Sequence, residues 1–391
     1  SVLTSAQTLT LAPRLLPPPP PGHLQIRILS TALCGSDLHY YRHFRNGSIV
    51  PKSPLILGHE SCGVVTAICP PLPNPPTDDS DARHSTVFEV GDLVALEVGV
   101  PCGECVLCLP PSKGGLGQYN ICPNLRFRSS GKEPLGGGLL EGTLQGGLNH
   151  LASWCHKLPP GFNPHLASLL EPLSVALHAT SRLPTLASIK SPQAILVLGA
   201  GPVGLLISAC LKRLHPSPEN RPKIVIMDII HSRLDSAVHE LGWADSSILL
   251  TSQLLQLPPP DLAAYIHKRL SATLGPGPRI EAVFECTGAP SSLSLAFNLP
   301  SPGGRVLILT IPPSESTVPL GIATLREVDV LGVFRYNVGD YERAVEVVRG
   351  GKIRGLEKLV SHVFKGLEWL EEAMELVWKG VDENGKGVVK V

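Results

Sequence analysis

From Leu24 to about Val100 the chain carries short β-rich runs, LQIRIL, CGVVTAI and DLVALEV, parted by turn residues, the rhythm of a small barrel or sandwich. The stretch PPLPNPPTDDSDARHS, residues 70 to 85, interrupts that rhythm with proline and charge and is expected to be an exposed loop. From Pro192 the pattern changes to strand, helix, strand. AILVLGAG leads into a helical pattern through Leu214, KIVIMD follows, a helix starts near Ser232, and AVFECTG and GRVLILT come later. That alternation predicts a parallel, doubly wound sheet, so the fold class is α/β with a separate β domain ahead of it. The last stretches, YERAVEVVRGGKI and LEWLEEAMELVWKG, have helical spacing and are expected to return and pack on the first domain.

A length of 391 residues is more than one ordinary core needs, which fits two domains. The 33 basic and 33 acidic residues cancel, leaving no electrostatic footprint for nucleic acid or an anionic membrane. Small molecules are the expected partners. Of ten cysteines, four cluster at metal-ligand spacing and the others are scattered through apolar segments, which predicts a reducing compartment rather than a disulfide framework. The N-terminal SVLTSAQTLTLAPRLLPPPPPG has no basic region before an apolar stretch and is broken by prolines, so neither a signal peptide nor a membrane span is expected there. The expectation is a cytoplasmic protein.

Chemistry concentrates in three motifs. Cys34 in CGSDLHYY, with His59 and Glu60 in GHE, offers a thiolate, an imidazole and a carboxylate, the three-donor set of a zinc ion that keeps one position open. Such an ion polarises an alcohol oxygen and lowers its pKa. Taken singly, Cys34 reads as a core cysteine and the other two as loop residues; jointly, and upstream of a dinucleotide turn, they read as ligands. Cys102, Cys105 and Cys108 in PCGECVLC, with Cys122 in NICP, form two successive Cys-x-x-Cys steps and a distal fourth thiol, the signature of a closed structural zinc site. The third motif is VLGAGPVG. Gly199, Gly201 and Gly204 give G-x-G-x-x-G after a strand and before a helix, with Pro202 and Val203 opening that helix toward a pyrophosphate. Asp228 ends the next strand, where its carboxylate would accept from ribose hydroxyls and repel a 2′-phosphate, favouring NAD. The lesser reading of Asp228 is a helix N-cap or turn residue. Nearby Arg233 would meet the ribose or adenine, or accommodate a phosphate.

These residues, with LGHESCGVV, LLEPLSVALHA, FECTGAP and VFRYN, resemble the zinc-dependent medium-chain alcohol dehydrogenases, and within them the sorbitol and xylitol (polyol) dehydrogenase branch, most of all a fungal-like subgroup. The resemblance runs from about Leu24 to the C-terminus. It implies a GroES-like β-barrel catalytic domain, residues 1–173 with 335–391 returning to it, and a Rossmann NAD-binding domain, residues 174–334, with the active site between them. It implies catalytic zinc on Cys34, His59 and Glu60, with Glu171 of EPLSV at the metal directly or through a water. Ser36 and His39 match the proton relay, a hydroxyl followed by an imidazole. Tyr40, Arg335 and Tyr336 match the positions that bind a polyol's hydroxyls, and buried donors of that kind reject substrates lacking them. The segment NLRFRSSGKEP, residues 124 to 134, with EGTLQ, is expected to line the cleft. The family usually forms dimers or tetramers, and VDVLGVF is a candidate strand for pairing across a subunit interface.

The sequence departs from the family in three places. The spacer LPPSKGGLGQYNI between Cys108 and Cys122 is several residues longer than usual, and both the run GGGLL, residues 136 to 140, and the loop at 70 to 85 are unusual. The expected activity is zinc-dependent transfer of hydride from a secondary hydroxyl of a polyol to NAD, giving a ketose. Two alternatives stay open: a tailoring dehydrogenase or ketoreductase for a larger secondary alcohol, and a noncatalytic NAD-binding redox sensor.

Overall fold

The computed structural model describes residues 1–70, 86–132, 140–183, 193–214, 221–311, 316–384 and 387–389. Residues 71 to 85 of the expected loop and most of the GGGLL run therefore lie outside the described residues.

The first lobe is built on a five-stranded antiparallel sheet. Its strands are β1 (His23–Ala32), β2 (Glu60–Ile68), β3 (Leu93–Leu96), β4 (Gly147–Leu151) and β5 (Cys155–Lys157), in the order β4-β1-β2-β3-β5. Along β1 the side chains alternate, Leu24 and Ile26 pointing into the core while Arg27 faces out, as the period of two requires. Helix α1 (Gly35–His43) follows β1 at once.

The second lobe is a six-stranded, wholly parallel sheet: β6 (Gln193–Leu198), β7 (Lys223–Asp228), β8 (Ser246–Leu249), β9 (Arg279–Glu285), β10 (Arg305–Ile308) and β11 (Asp329–Gly332). Its order is β8-β7-β6-β9-β10-β11. The central strands are apolar on both faces, because helices cover both: Ile195 to Leu198 and Ile224 to Met227 are fully buried. The order places the crevice between β6 and β9 at the topological switch point, where such sheets bind nucleotides.

Helix α2 (Leu170–Ser181) joins the lobes, and α3 (Pro202–Arg213) opens at the glycine-rich turn. Helix α4 (Asp340–Arg349) packs on α2 and points Tyr341, Ala344 and Val345 inward. Helix α5 (Leu370–Lys379) returns to the first lobe, as its spacing predicts, and packs Leu370, Ala373 and Met374 against Leu38, Tyr40 and Tyr41 of α1. One apolar cluster runs from Cys62 and Ala95 through Leu173 to Val197 and Phe284, so the lobes share a continuous core. No helix among the described residues is long and apolar enough to cross a membrane.

Candidate active site

Strand register explains why the three metal-donor residues meet. Ala32, at the end of β1, pairs with Glu60, at the start of β2, so Cys34 two residues beyond lies beside His59 and Glu60. One ligand atom from each of Cys34, His59 and Glu60 lies within 4.8 Å of the others, with His59 and Glu60 buried. Cys34 is the N-cap of α1. Gly58, at φ +90°, makes the turn that delivers His59; a Cβ there would come within 2.9 Å of Thr143 Oγ1 and the Leu144 backbone.

A carboxylate beneath the set holds it together. Asp37 is fully buried and accepts hydrogen bonds from Cys34 N at 3.2 Å and Gly58 N at 2.9 Å. Its Oδ1 lies 3.5 Å from His59 Nδ1, and Ser129 Oγ bonds the same nitrogen at 2.8 Å. With Nδ1 taken, Nε2 is the free donor. Burial opposes charge on both partners, yet each stabilises the other: Asp37 is held below the usual carboxylate value, and His59, facing Asp37 and Cys34, is held well above the usual imidazole value. The donor set of soft sulfur, imidazole and carboxylate, with an oriented histidine behind it, fits a zinc ion.

Arg335 and Tyr336 follow the last strand of the second lobe. Arg335 sits in the left-handed region, φ +55°, unusual for a non-glycine residue. Two contacts from the first lobe hold that segment: Asn120 Nδ2 donates to Phe334 O at 2.8 Å, and Tyr119 N donates to Asn337 Oδ1 at 3.0 Å. The guanidinium carbon of Arg335 stacks 3.4 Å from the centroid of Phe127, whose ring lies 5.5 Å from that of His59. Phe127 thus bridges Arg335 and the metal-donor set. Burial lowers Arg335 to about 10, so it is still charged at neutral pH, and Tyr336, Glu171 and Tyr40 are close enough to favour that charge. Tyr336 is 1% exposed, and its hydroxyl has no hydrogen-bond partner among the described residues. Burial, then Glu171 and Glu97, hold that phenol well above its ordinary value, so it stays a donor.

Glu171 is buried in the first turn of α2 beside Arg335 and Tyr336. It does not join the Cys34, His59 and Glu60 set. Tyr40 is buried, and its hydroxyl accepts from Gly131 N at 3.0 Å. Ser36 and His39 lie one turn apart on α1, Ser36 half-buried and His39 exposed, so the pair runs outward toward solvent. Partial desolvation of the ring, then the neighbouring His43, lower the His39 imidazole value.

Cys102, Cys105, Cys108 and Cys122 converge with sulfur separations of 3.3 to 3.7 Å. Tetrahedral zinc with bonds of 2.3 Å implies edges of about 3.8 Å, so the set is close to ligand geometry. Burial opposes ionisation of Cys105, but Cys108 N–H and the facing sulfurs outweigh it and bring the thiol to about 7. Cys122 is pushed up to about 12, first by burial and then by the other sulfurs. Four thiolates ionise together only around a cation, and zinc fits. The long spacer is absorbed by turns: Leu116, Gly117 and Gln118 donate backbone N–H groups to Val106, Leu109 and Leu107, and Gly115 passes where a Cβ would lie 2.0 Å from Leu109 O. None of the ten cysteines forms a disulfide.

In the second lobe, Gly199 turns at φ +100° and Gly204 packs so closely that a Cβ would fall 1.9 Å from Gly199 O. Gly201 caps α3, with Pro202 and Val203 in its first turn. Asp228 accepts from Ala200 N at 2.6 Å through Oδ2 and from Ile230 N at 2.8 Å through Oδ1. It therefore braces the turn, and each oxygen keeps a lone pair for a ribose hydroxyl. Arg233 does something the sequence pattern did not indicate. Its Nη2 donates to Gly380 O at 3.2 Å and Val388 O at 2.6 Å, fastening the C-terminal segment to the nucleotide lobe.

Asp37, Ser129, Phe127 and Tyr119 were not singled out from sequence. Asp37 had a signal, since it stands three residues after Cys34 at the third helical position, where a carboxylate reaches back to the cap. Ser129 and Phe127 fall in the segment expected to line the cleft.

The chain is similar to known proteins over most of its length. Residues 20–160 match the alcohol dehydrogenase GroES-like domain and residues 222–349 the zinc-binding dehydrogenase family. The chain is 35% identical to an L-arabinitol 4-dehydrogenase of Aureobasidium melanogenum, with 95% of this chain and 87% of that protein covered. It is 33% identical to a sorbitol dehydrogenase of Rattus norvegicus, over 92% of this chain and 87% of that one. Among solved structures, an Escherichia coli oxidoreductase of unknown specificity superposes with a TM-score of 0.76 at 26% identity, over 100% of this chain and 96% of that one.

Proposed function

Because the chain belongs to the zinc-dependent medium-chain alcohol dehydrogenases, we propose that it is an NAD-linked polyol dehydrogenase that oxidises a secondary hydroxyl of a sorbitol- or xylitol-like polyol to the ketone, reversibly. The observation that carries the polyol reading is the buried, unpartnered Tyr336 hydroxyl beside the Arg335 guanidinium and the Glu171 carboxylate. A pocket wall with an unused donor discriminates against substrates that lack a matching hydroxyl. The two relatives named for arabinitol and sorbitol support the same substrate class.

In this reading Cys34, His59 and Glu60 hold the catalytic zinc, and Glu171 acts beside it through a water rather than as a fourth ligand. Bound zinc supplies Lewis acidity at the reacting hydroxyl, and NAD supplies the hydride acceptor. Ser36 and His39 carry the substrate proton outward along α1. Tyr40, Arg335 and Tyr336 orient the remaining hydroxyls. The turn at Gly199, Gly201 and Gly204 receives the pyrophosphate, and Asp228 the adenosine ribose. Cys102, Cys105, Cys108 and Cys122 hold a structural zinc.

We place the domains at 1–173 with 335–391, and at 174–334. The junction at 173 falls inside α2, so the lobes are joined by a rigid helix and a shared core rather than a flexible linker. The working form is a homo-oligomer, dimer or tetramer. Strand β11 supports this as an edge of its sheet among the described residues, carrying the exposed apolar Val330 and followed by the exposed Phe334 and Val338. The cytoplasm is the fitting compartment, in keeping with ten unpaired cysteines.

The test is the initial rate of NAD reduction at mildly alkaline pH with sorbitol, xylitol, arabinitol and simple secondary alcohols at one matched concentration, before and after chelation and zinc return. Turnover of polyols well above simple alcohols, lost on chelation and restored by zinc, is expected. Activity confined to simple alcohols, or absent with full NAD and zinc binding, overturns the polyol assignment.

A further inference from the structure

Away from the sites above, a third group of donors converges where the first lobe meets α4. Glu97 follows β3, His156 lies in β5 and Glu342 lies in the first turn of α4; one ligand atom from each lies within 4.8 Å of the others. Glu97 is buried and has two partners. Tyr119 Oη donates to its Oε1, and His156 Nε2 lies 2.7 Å from its Oε2. The His156 ring is fixed by stacking on Tyr341 at 4.5 Å, nearly parallel.

Glu342 lacks such support. Its Oε2 is sealed from solvent without a partner, and no ion pair or hydrogen bond reaches its carboxylate among the described residues. No lysine or arginine pairs with Glu97 there either. The helix dipole favours a carboxylate in that turn but gives it no hydrogen bond. Two carboxylates and an imidazole thus face one point, with Glu97 buried, His156 and Glu342 partly buried, and the sealed Glu342 Oε2 left without a donor.

We propose that Glu97, His156 and Glu342 form a further divalent-cation site, of the Zn2+ or Mn2+ class, that clamps α4 to the barrel lobe. One imidazole and two carboxylates suit a borderline-to-hard ion, unlike the sulfur-bearing sets elsewhere in the chain. The ion would take the place of the hydrogen between Glu97 Oε2 and His156 Nε2, the imidazole then carrying its N–H on Nδ1, and those atoms would part by about half an ångström to the spacing of two ligands on one ion. Tyr119 stays on Oε1 and orients the carboxylate from behind. Water completes the coordination. The clamp lies one ring away from the substrate wall, because Tyr341 also packs edge-on to Tyr336 at 5.8 Å.

Mn2+ separates this site from the others, since thiolate-containing sets keep Zn2+. The full chain, saturated with zinc and freed of excess, is titrated with Mn2+, and bound ion is read from loss of the free-ion paramagnetic resonance signal. One equivalent should bind, and melting temperature should rise with it. Glu342→Gln, nearly equal in size, should weaken binding at least 10-fold and abolish the melting shift, while NADH binding stays unchanged. His156→Phe keeps the stack on Tyr341 and removes the donor, so it decides the matter should Glu342→Gln fail to fold. No bound Mn2+ in the parent chain, or equal binding in either folded variant, overturns the site.

Discussion

Ser129 Oγ lies 2.8 Å from His59 Nδ1, and it gets there with its own backbone at φ +60°. A serine in the left-handed region is strained, and such strain persists where the surroundings demand it. Here the demand is an oriented imidazole, with Asp37 as the longer second contact. Ser129→Ala keeps the backbone and removes the partner, so it should cost about 10- to 100-fold in retention of the catalytic zinc against a chelator, and a similar factor in kcat/KM. Ser129→Gly should show the same loss although it relieves the strain. Zinc retention equal to the parent chain in both variants would remove Ser129 from the site.

The four converging sulfurs predict a division of labour between metal sites. Cys105→Ser should lower zinc content by one equivalent per chain and reduce melting temperature, because binding energy at such a lobe is folding energy. The zinc on Cys34, His59 and Glu60 should remain, with activity surviving at low temperature. Zinc analysis alongside thermal melts reads both; loss of activity at low temperature with folding intact would mean that the cysteine lobe takes part in the chemistry itself.

Gly204→Ala tests the nucleotide turn. Its Cβ would meet Gly199 O at 1.9 Å, too close for side-chain adjustment because the obstacle is backbone. Forcing such a contact costs about 1–3 kcal/mol, or roughly 5- to 150-fold in an affinity that depends on the turn. NADH fluorescence titration should show that loss with zinc content unchanged. Undiminished NADH affinity would place the cofactor elsewhere.

Where a cluster depends on residue type and short spacing, its convergence was readable in advance. Cys34 with His59 and Glu60, the four-cysteine set and the glycine turn all converge in space, because sulfur, imidazole and flexible backbone at those intervals have few other uses. Strand alternation and the double-sided apolar runs likewise announced the two sheets. What stayed hidden depends on contacts made far along the chain. Ser129 meets His59 across 70 residues and Arg233 meets Gly380 across 147, and no local pattern encodes either. Arg233 was legible as a cation near the nucleotide strand, but its use by returning carbonyls follows from where the C-terminal segment lands. Phe127 was legible as a cleft residue and not as the plate between Arg335 and His59.

The entry to the second strand of the nucleotide lobe rests on one carboxylate, and its charge gives that lobe an acid limit. Asp245 takes a two-pronged bond from Arg221, 2.6 Å at Oδ2 and 2.8 Å at Oδ1, together with Lys212 Nζ at 3.1 Å and Ile224 N at 2.8 Å. Burial would raise its value, but Arg221, the Ile224 amide and Lys212 outweigh that and hold the carboxyl well below the usual range. A carboxylate depressed in the folded state adds stability that is complete above its unfolded value, about 3.9, and fades as pH falls through that value toward the folded one. Asp245→Asn should therefore destabilise the chain by about 1–2 kcal/mol at pH 7, less than a fully buried charge network because part of the cluster faces solvent. The difference should be constant from pH 8 to pH 5 and shrink below pH 4. Urea melts of both proteins across that range measure it, and a difference that grew on acidification, or was already gone at pH 6, would mean that Asp245 is not the group that ties Arg221 and Lys212 to the strand.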